Sequence, residues 1–212
     1  MQVHNLNQAQ RIVTSVASRA DFGFTAGATS ALLSCIVDTT QLASKTWQDD
    51  LQLRQEAVDA LYRRLLLCSS QNSQDDPILQ LHHQIFQIGA IVYFHRSVLN
   101  SPPHALVPFL DELLADVRAY RERGGGYVTL WPVFIAAVEA YEERHQEGFQ
   151  DWLHDCDRMG AANRKDVREV IESVWRKRLV MWREMGTRME LGGIVVSWTE
   201  VMYESGLEVL LV

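Results

Sequence analysis

The chain is poor in cysteine: three in 212 residues, Cys35, Cys68 and Cys156, with no two near each other and no C-x-x-C. That excludes a zinc knuckle, and an odd count at wide spacing argues against a disulfide framework. The expected setting is a reducing compartment, nucleus or cytosol. Long apolar runs are also lacking. The first twenty residues hold no unbroken apolar core of signal-peptide type. The best membrane candidate, Ile85–Phe94, is too short to span a bilayer and follows His82, His83 and Gln84. Positive charge is in deficit: 20 Lys and Arg against 27 Asp and Glu give a formal net charge of −7. An acidic surface repels phosphate backbones, so direct nucleic-acid binding by this chain is disfavoured. The local basic clusters, Arg63-Arg64 and Arg176-Lys177-Arg178, lie in helix-like stretches and read as solvated faces or ion pairs.

Chemistry-bearing motifs are missing as well. There is no H-E-x-x-H and no G-x-S-x-G. His82 and His95 share one predicted helix, but a step of thirteen residues sets them about 20 Å apart along its axis, too far for one metal ion. His95-Arg96 reads as a partly buried pair that satisfies neighbouring helix ends. Asp75-Asp76 invites comparison with the metal-binding carboxylates of terpene cyclases, but Leu79 and Gln80 stand where a further carboxylate is needed. Asp76 before Pro77 is the mark of a helix start. Gly124-Gly125-Gly126 lacks the Lys-Ser/Thr ending of a phosphate loop and reads as a flexible connector. The expectation is therefore no catalytic residue, no metal, no cofactor and no enzymatic activity.

Helical periodicity is what the sequence has. Successive helices are expected at Asn5–Ala20, Ala26–Thr46, Trp47–Cys68, from Asp76 to about Leu99, Leu106–Arg121, Trp131–Glu147, Phe149–Met159, Arg164–Met185 and Trp198–Glu204. In Trp47–Cys68, Leu51, Val58, Leu61, Tyr62 and Leu65 line one side. Ile194–Val196 is β-prone but too isolated to build a sheet. The predicted fold is all-α, an irregular bundle of about eight or nine helices. At its centre belongs Leu130–Tyr141, apolar on almost every side and interrupted by Glu139. A buried lone carboxylate is costly, so Glu139 is expected in an ion pair with an Arg of a facing helix, the alternative being a polar anchor at the base of a pocket. The last residues, Leu-Glu-Val-Leu-Leu-Val, are expected to be docked, because exposed apolar surface invites association.

The final third is rich in Trp and Met. Five of six Trp (Trp131, Trp152, Trp175, Trp182, Trp198) and five of six Met (Met159, Met181, Met185, Met189, Met202) follow residue 130. Such side chains either fill a core or line an apolar cavity. If there is a cavity, its composition-based lining is Trp131, Phe134, Ile135, Trp175, Met181, Trp182, Met185 and Met202.

One order of motifs stands out: Tyr93-Phe94-His95-Arg96, the Pro102-Pro103 break, an amphipathic helix, LWPVFIAAVEA, Val174-Trp175-Arg176, and WTEVMYESGLEVLLV. It resembles the C-terminal regulatory domain of fungal-specific transcription factors of the zinc binuclear cluster type. The likeness runs over residues 22–212, from Gly27 and ALLSCIVDTTQLA onward, and leaves 1–21 as a polar helix or extension. It implies an all-α, effector-sensing and dimerising domain in the nucleus, able to hold a small hydrophobic effector, as a homodimer or as a heterodimer with a full-length regulator. Leu106–Tyr120 is a helical face that could supply the dimer contact. The family's DNA reader needs six closely spaced cysteines, which three distant ones cannot provide. The expectation is a fragment, or a short relative without the DNA-binding half. The rival reading is a stand-alone all-α carrier or enzyme for an apolar metabolite, acting in the cytoplasm.

Overall fold

A computed structural model describes residues 28–45, 51–68, 76–126, 130–158, 164–186 and 189–207. The expected first helix, Asn5–Ala20, and the tail beyond Leu207 lie outside the described residues. Eight α-helices are present among the described residues: α1 (Ser30–Ser44), α2 (Leu51–Leu67), α3 (Pro77–Ser97), α4 (Val107–Glu122), α5 (Leu130–Ala137), α6 (Glu143–Arg158), α7 (Arg164–Met185) and α8 (Trp198–Ser205). Short 3₁₀ turns occupy Pro103–Leu106 and Leu191–Gly193. No strand occurs among the described residues, so the all-α expectation holds. No helix among them is long and apolar enough to cross a membrane. The chain divides into two compact units, Met1–Asn100 with Asp116–Thr129, and Ser101–Ala115 with Leu130–Val212; the division falls within α4.

In the first unit, local chemistry sets the helix starts. Thr29 Oγ1 accepts from the Leu32 amide at 3.2 Å and opens α1. Asp76 Oδ1 accepts from the amides of Ile78 at 2.9 Å and Leu79 at 3.3 Å, with Pro77 in the first turn of α3, as its sequence predicts. Leu32, Cys35 and Thr39 are the buried stripe of α1; Val58, Leu61 and Leu65 are that of α2. Leu51, expected on the same apolar side, is 76% exposed. It sits at the open first turn of α2, three helical turns from Leu61. α3 is buried on all sides from Ile88 to Val92 and packs on both α1 and α2, which is where an all-round apolar helix belongs. Phe94 stacks on Tyr62 with ring centroids 5.4 Å apart. His95 meets the Tyr62 hydroxyl at 3.5 Å, and at the end of α2 His83 Nε2 donates to Cys68 O at 2.7 Å.

The second unit is organised around α7, which packs on α5, α6, α8 and the turn Leu191–Gly193. Its buried stripe runs Val167, Val170, Ile171, Val174, Trp175 and Arg178, so the last apolar position is taken by a guanidinium. On α6 the stripe His145, Phe149, Trp152 and Leu153 likewise carries one polar member. Ser197 Oγ caps α8 through the Glu200 amide at 3.3 Å. Lys177 joins α7 to α8 through Glu204 at 2.7 Å.

Two sequence expectations are corrected here. The segment Trp131–Glu147 is not one helix: α5 stops at Ala137 and α6 starts at Glu143. The expected break between Glu147 and Phe149 falls on Gly148, which lies inside α6, where a Cβ would come within 3.1 Å of Leu114 Cδ1. Its missing side chain serves close packing on α4. Nor is Leu106–Tyr120 a free face. Leu106, Leu110, Leu113, Val117 and Tyr120 repeat at three- and four-residue spacing and are all buried within this chain.

Candidate functional site

The strongest polar constellation of the second unit is built where α5 ends. Past Phe134 the amides shift register: Val138 N still bonds Phe134 O at 3.1 Å, but Glu139 N bonds Ala136 O and Ala140 N bonds Ala137 O, both at 3.1 Å. The tightening leaves carbonyls pointing off the helix end, each an acceptor that must be satisfied when buried. α7 supplies the donors. Trp175 Nε1 donates to Ala137 O at 2.8 Å. One turn later on the same face, Arg178 Nη2 donates to Val138 O at 3.0 Å, Nη1 to Ala140 O at 2.9 Å and Nε to Ile194 O at 3.1 Å. Arg178 Nη2 also lies 3.4 Å from Glu139 Oε2, with Arg178 1% and Glu139 2% exposed.

Glu139 therefore has the facing-helix arginine expected of it, although it sits in the turn after the helix rather than within it. A cation at a helix C-terminus also meets the negative end of the helix dipole. The clamp explains why α5 stops: three carbonyls that would have continued the ladder are held by side chains of another helix. It also shows what Arg176-Lys177-Arg178 is for. Arg176 is exposed, Lys177 forms the rim ion pair, and Arg178 is core.

A second cluster joins α4 to the start of α6. Asp111 Oδ1 accepts from Arg144 Nη1 at 2.7 Å and from His145 Nε2 at 2.8 Å. Arg144 Nε reaches Glu142 Oε2 at 2.7 Å, and Tyr141 O–H donates to Glu142 Oε1 at 3.0 Å. The hydrogen bond from His145, then Arg144, holds the Asp111 carboxyl below its ordinary range. Arg144 does the same for Glu142. Burial, then the bond to Glu142, pushes the Tyr141 phenol up. His145 is itself buried, and its Nδ1 has no hydrogen-bond partner. Nearby, Gly192 is packed so tightly that a Cβ would fall 2.7 Å from Tyr141 Cζ and 2.9 Å from His104 Cβ, while His104 Nδ1 donates to Gly192 O at 3.1 Å.

The eight residues proposed from composition all fall in the second unit. Phe134, Ile135 and Trp175 are buried, with Phe134 edge-on to Trp198 at 5.3 Å. Trp131, Met181 and Met202 are half-buried. Trp182 and Met185 are 36% and 43% exposed on the last turns of α7, where Trp182 Nε1 donates to Met189 O at 3.1 Å. Among the described residues no group of three or more His, Cys, Asp or Glu could hold a metal ion. Sequence reasoning missed the role of Arg178, although its place on the 167–171–174–178 spacing was a usable signal. It also missed the approach of Cys35 to Cys68, for which the sequence holds none.

The motif residues of the clamp, from Leu130 to Ala140 and from Val174 to Arg178, lie within a region matched by one family model. That model, described as a fungal specific transcription factor domain, covers residues 6–212. No curated protein and no solved structure matches the chain.

Proposed function

Because the chain belongs to the fungal specific transcription factor domain family, and so to transcription regulators, we propose that its part is to sense an effector and to dimerise, without binding DNA and without catalysing a reaction. The match over residues 6–212 carries this reading. Two further observations support it. The formal net charge of −7 disfavours a phosphate backbone. The most distinctive polar side chains, Trp175 and Arg178, are spent on closing a helix end, which suits a scaffold better than a reaction centre.

In this reading residues 22–212 form the regulatory domain and 1–21 an extension. The chain acts in the nucleus, as a homodimer or paired with a full-length regulator. The effector is a small apolar molecule, and the half-buried Trp131, Met181 and Met202 are its first contacts, because they combine apolar bulk with remaining access.

The test is to fuse the chain to an unrelated DNA-binding module in a fungal host and read a reporter across growth conditions. Output that varies with condition is expected; silence under all of them refutes the regulatory role. Native mass spectrometry of the protein from the same host reads sensing and pairing separately. A stoichiometric apolar adduct on a dimer is expected, and an empty monomer refutes both.

A further inference from the structure

The first unit brings together two thiols that the sequence keeps apart. Cys35, in the middle of α1, and Cys68, just past the end of α2, have their Sγ atoms 3.8 Å apart. Both are free thiols; Cys35 is 1% exposed and Cys68 8%. Their backbones are fixed from outside the pair. Thr39 Oγ1 donates to Cys35 O at 2.8 Å, and His83 on α3 holds Cys68 O. Cys68 N bonds Leu65 O at 3.3 Å, so its residue lies on a tightened final turn rather than in the helix ladder.

The charges around the pair are Arg64 and Asp38, joined at 2.7 Å. Within the pair the two thiols share a hydrogen bond that either sulfur can donate. That bond, helped by Arg64, lowers the Cys68 thiol to about 7, while the same bond and burial push Cys35 well above the ordinary thiol range. Cys68 is thus the sulfur with a little solvent access and a lowered thiol, and Cys35 lies directly beside it.

We propose that Cys35 and Cys68 are a hydroperoxide-reactive dithiol that closes to an intramolecular disulfide, a reversible oxidation site tying α1 to the end of α2. This does not depend on the regulatory reading above. In the first step the Cys68 thiolate attacks one oxygen of hydrogen peroxide. The S–O bond forms, the O–O bond breaks, and the departing hydroxide takes a proton to leave as water. In the second step Cys35 sulfur attacks the Cys68 sulfenic acid. The S–S bond forms, the S–O bond breaks, and the hydroxide leaves as water with the proton from Cys35. Two thiols and one peroxide give one disulfide and two waters. The sulfurs need only close from 3.8 Å to about 2.0 Å, and a thiol reductant reverses the bond.

The experiment uses the whole chain, reduced and freed of reductant, then given equimolar hydrogen peroxide, quenched with catalase, denatured and tagged with maleimide. Free thiols are expected to fall from three to one, on a monomer, with peptide mapping to Cys35–Cys68 and full recovery in dithiothreitol. Cys156→Ser should fall from two to none. Cys35→Ser should leave a Cys68 sulfenic acid that dimedone captures, and Cys68→Ser should leave Cys35 unreacted. Retention of three thiols overturns the proposal. So does a bond to Cys156, or a folded chain that yields the same mixture of pairings as the chain oxidised in urea, since the folded geometry would then select nothing.

Discussion

Replacing Arg178 by Met keeps most of the side-chain volume and removes every clamp donor except Trp175 Nε1 on Ala137 O. The loss can be bounded in two ways. Breaking a buried ion pair by deleting one partner costs about 3–5 kcal/mol. Counted instead as acceptors, three carbonyls, of Val138, Ala140 and Ile194, lose a donor, at about 1–3 kcal/mol for each buried group left unsatisfied, although Ala140 O keeps Gln146 Nε2 at 3.4 Å. The two counts overlap, and water entering the gap recovers part of the second, so we expect Arg178→Met to cost about 4 kcal/mol. Against a typical domain stability of about 5–15 kcal/mol, that is a large fraction.

The geometry also fixes an order. The carbonyl bonds span 2.9–3.1 Å, whereas the carboxylate stands at 3.4 Å. Glu139→Gln should therefore cost clearly less than Arg178→Met, and combining them should cost less than the sum, because Gln leaves no buried charge stripped of its guanidinium. Urea unfolding followed by tryptophan fluorescence and far-UV circular dichroism reads all three variants. If Arg178→Met loses less than about 1 kcal/mol, the value of an exposed pair, or if Glu139→Gln is the costlier change, the clamp does not hold the end of α5.

Two other perturbations probe the same unit. Gly192→Ala places a methyl against Tyr141 and His104 and should destabilise by about 1–3 kcal/mol through overpacking; an unchanged urea midpoint would show that the turn yields freely. Asp111 and Glu142 titrate below their unfolded values. Their contribution is thus complete above the ordinary carboxylate range and is lost as pH falls through the depressed folded values. Asp111→Asn, which keeps an acceptor for His145, should flatten the acid limb of stability below pH of about 4. With the side chain 45% exposed, solvent screening limits the effect to on the order of 1 kcal/mol. An unaltered acid slope would remove Asp111 from the network's electrostatics.

Helix content was legible wherever the signal is local. Asp76 and Pro77 opened α3, and the apolar spacing of α2 and α7 was visible because a helix face is written every three or four residues. The failures share one cause. The long helix expected over Trp131–Glu147 was broken by Trp175 and Arg178, which lie 35 or more residues downstream of its end at Ala137. Propensity continues a helix until a breaker residue appears, whereas here the stop is a competing set of donors from another helix. Gly148, at the expected break between Glu147 and Phe149, was instead a packing site against Leu114. The apolar face of Leu106–Tyr120 reads the same whether it meets its own chain or another, and only burial separates the two.

The sequence by itself determined the all-α class, the start of α3 at Asp76-Pro77, the need for a partner at Glu139 and the family, since each is carried by local pattern, by charge or by motif order. Tertiary structure alone decided which arginine answered Glu139, where α5 ends, and that Cys35 lies beside Cys68. Those facts depend on which side chains converge from distant positions, and a linear spacing holds no record of that convergence.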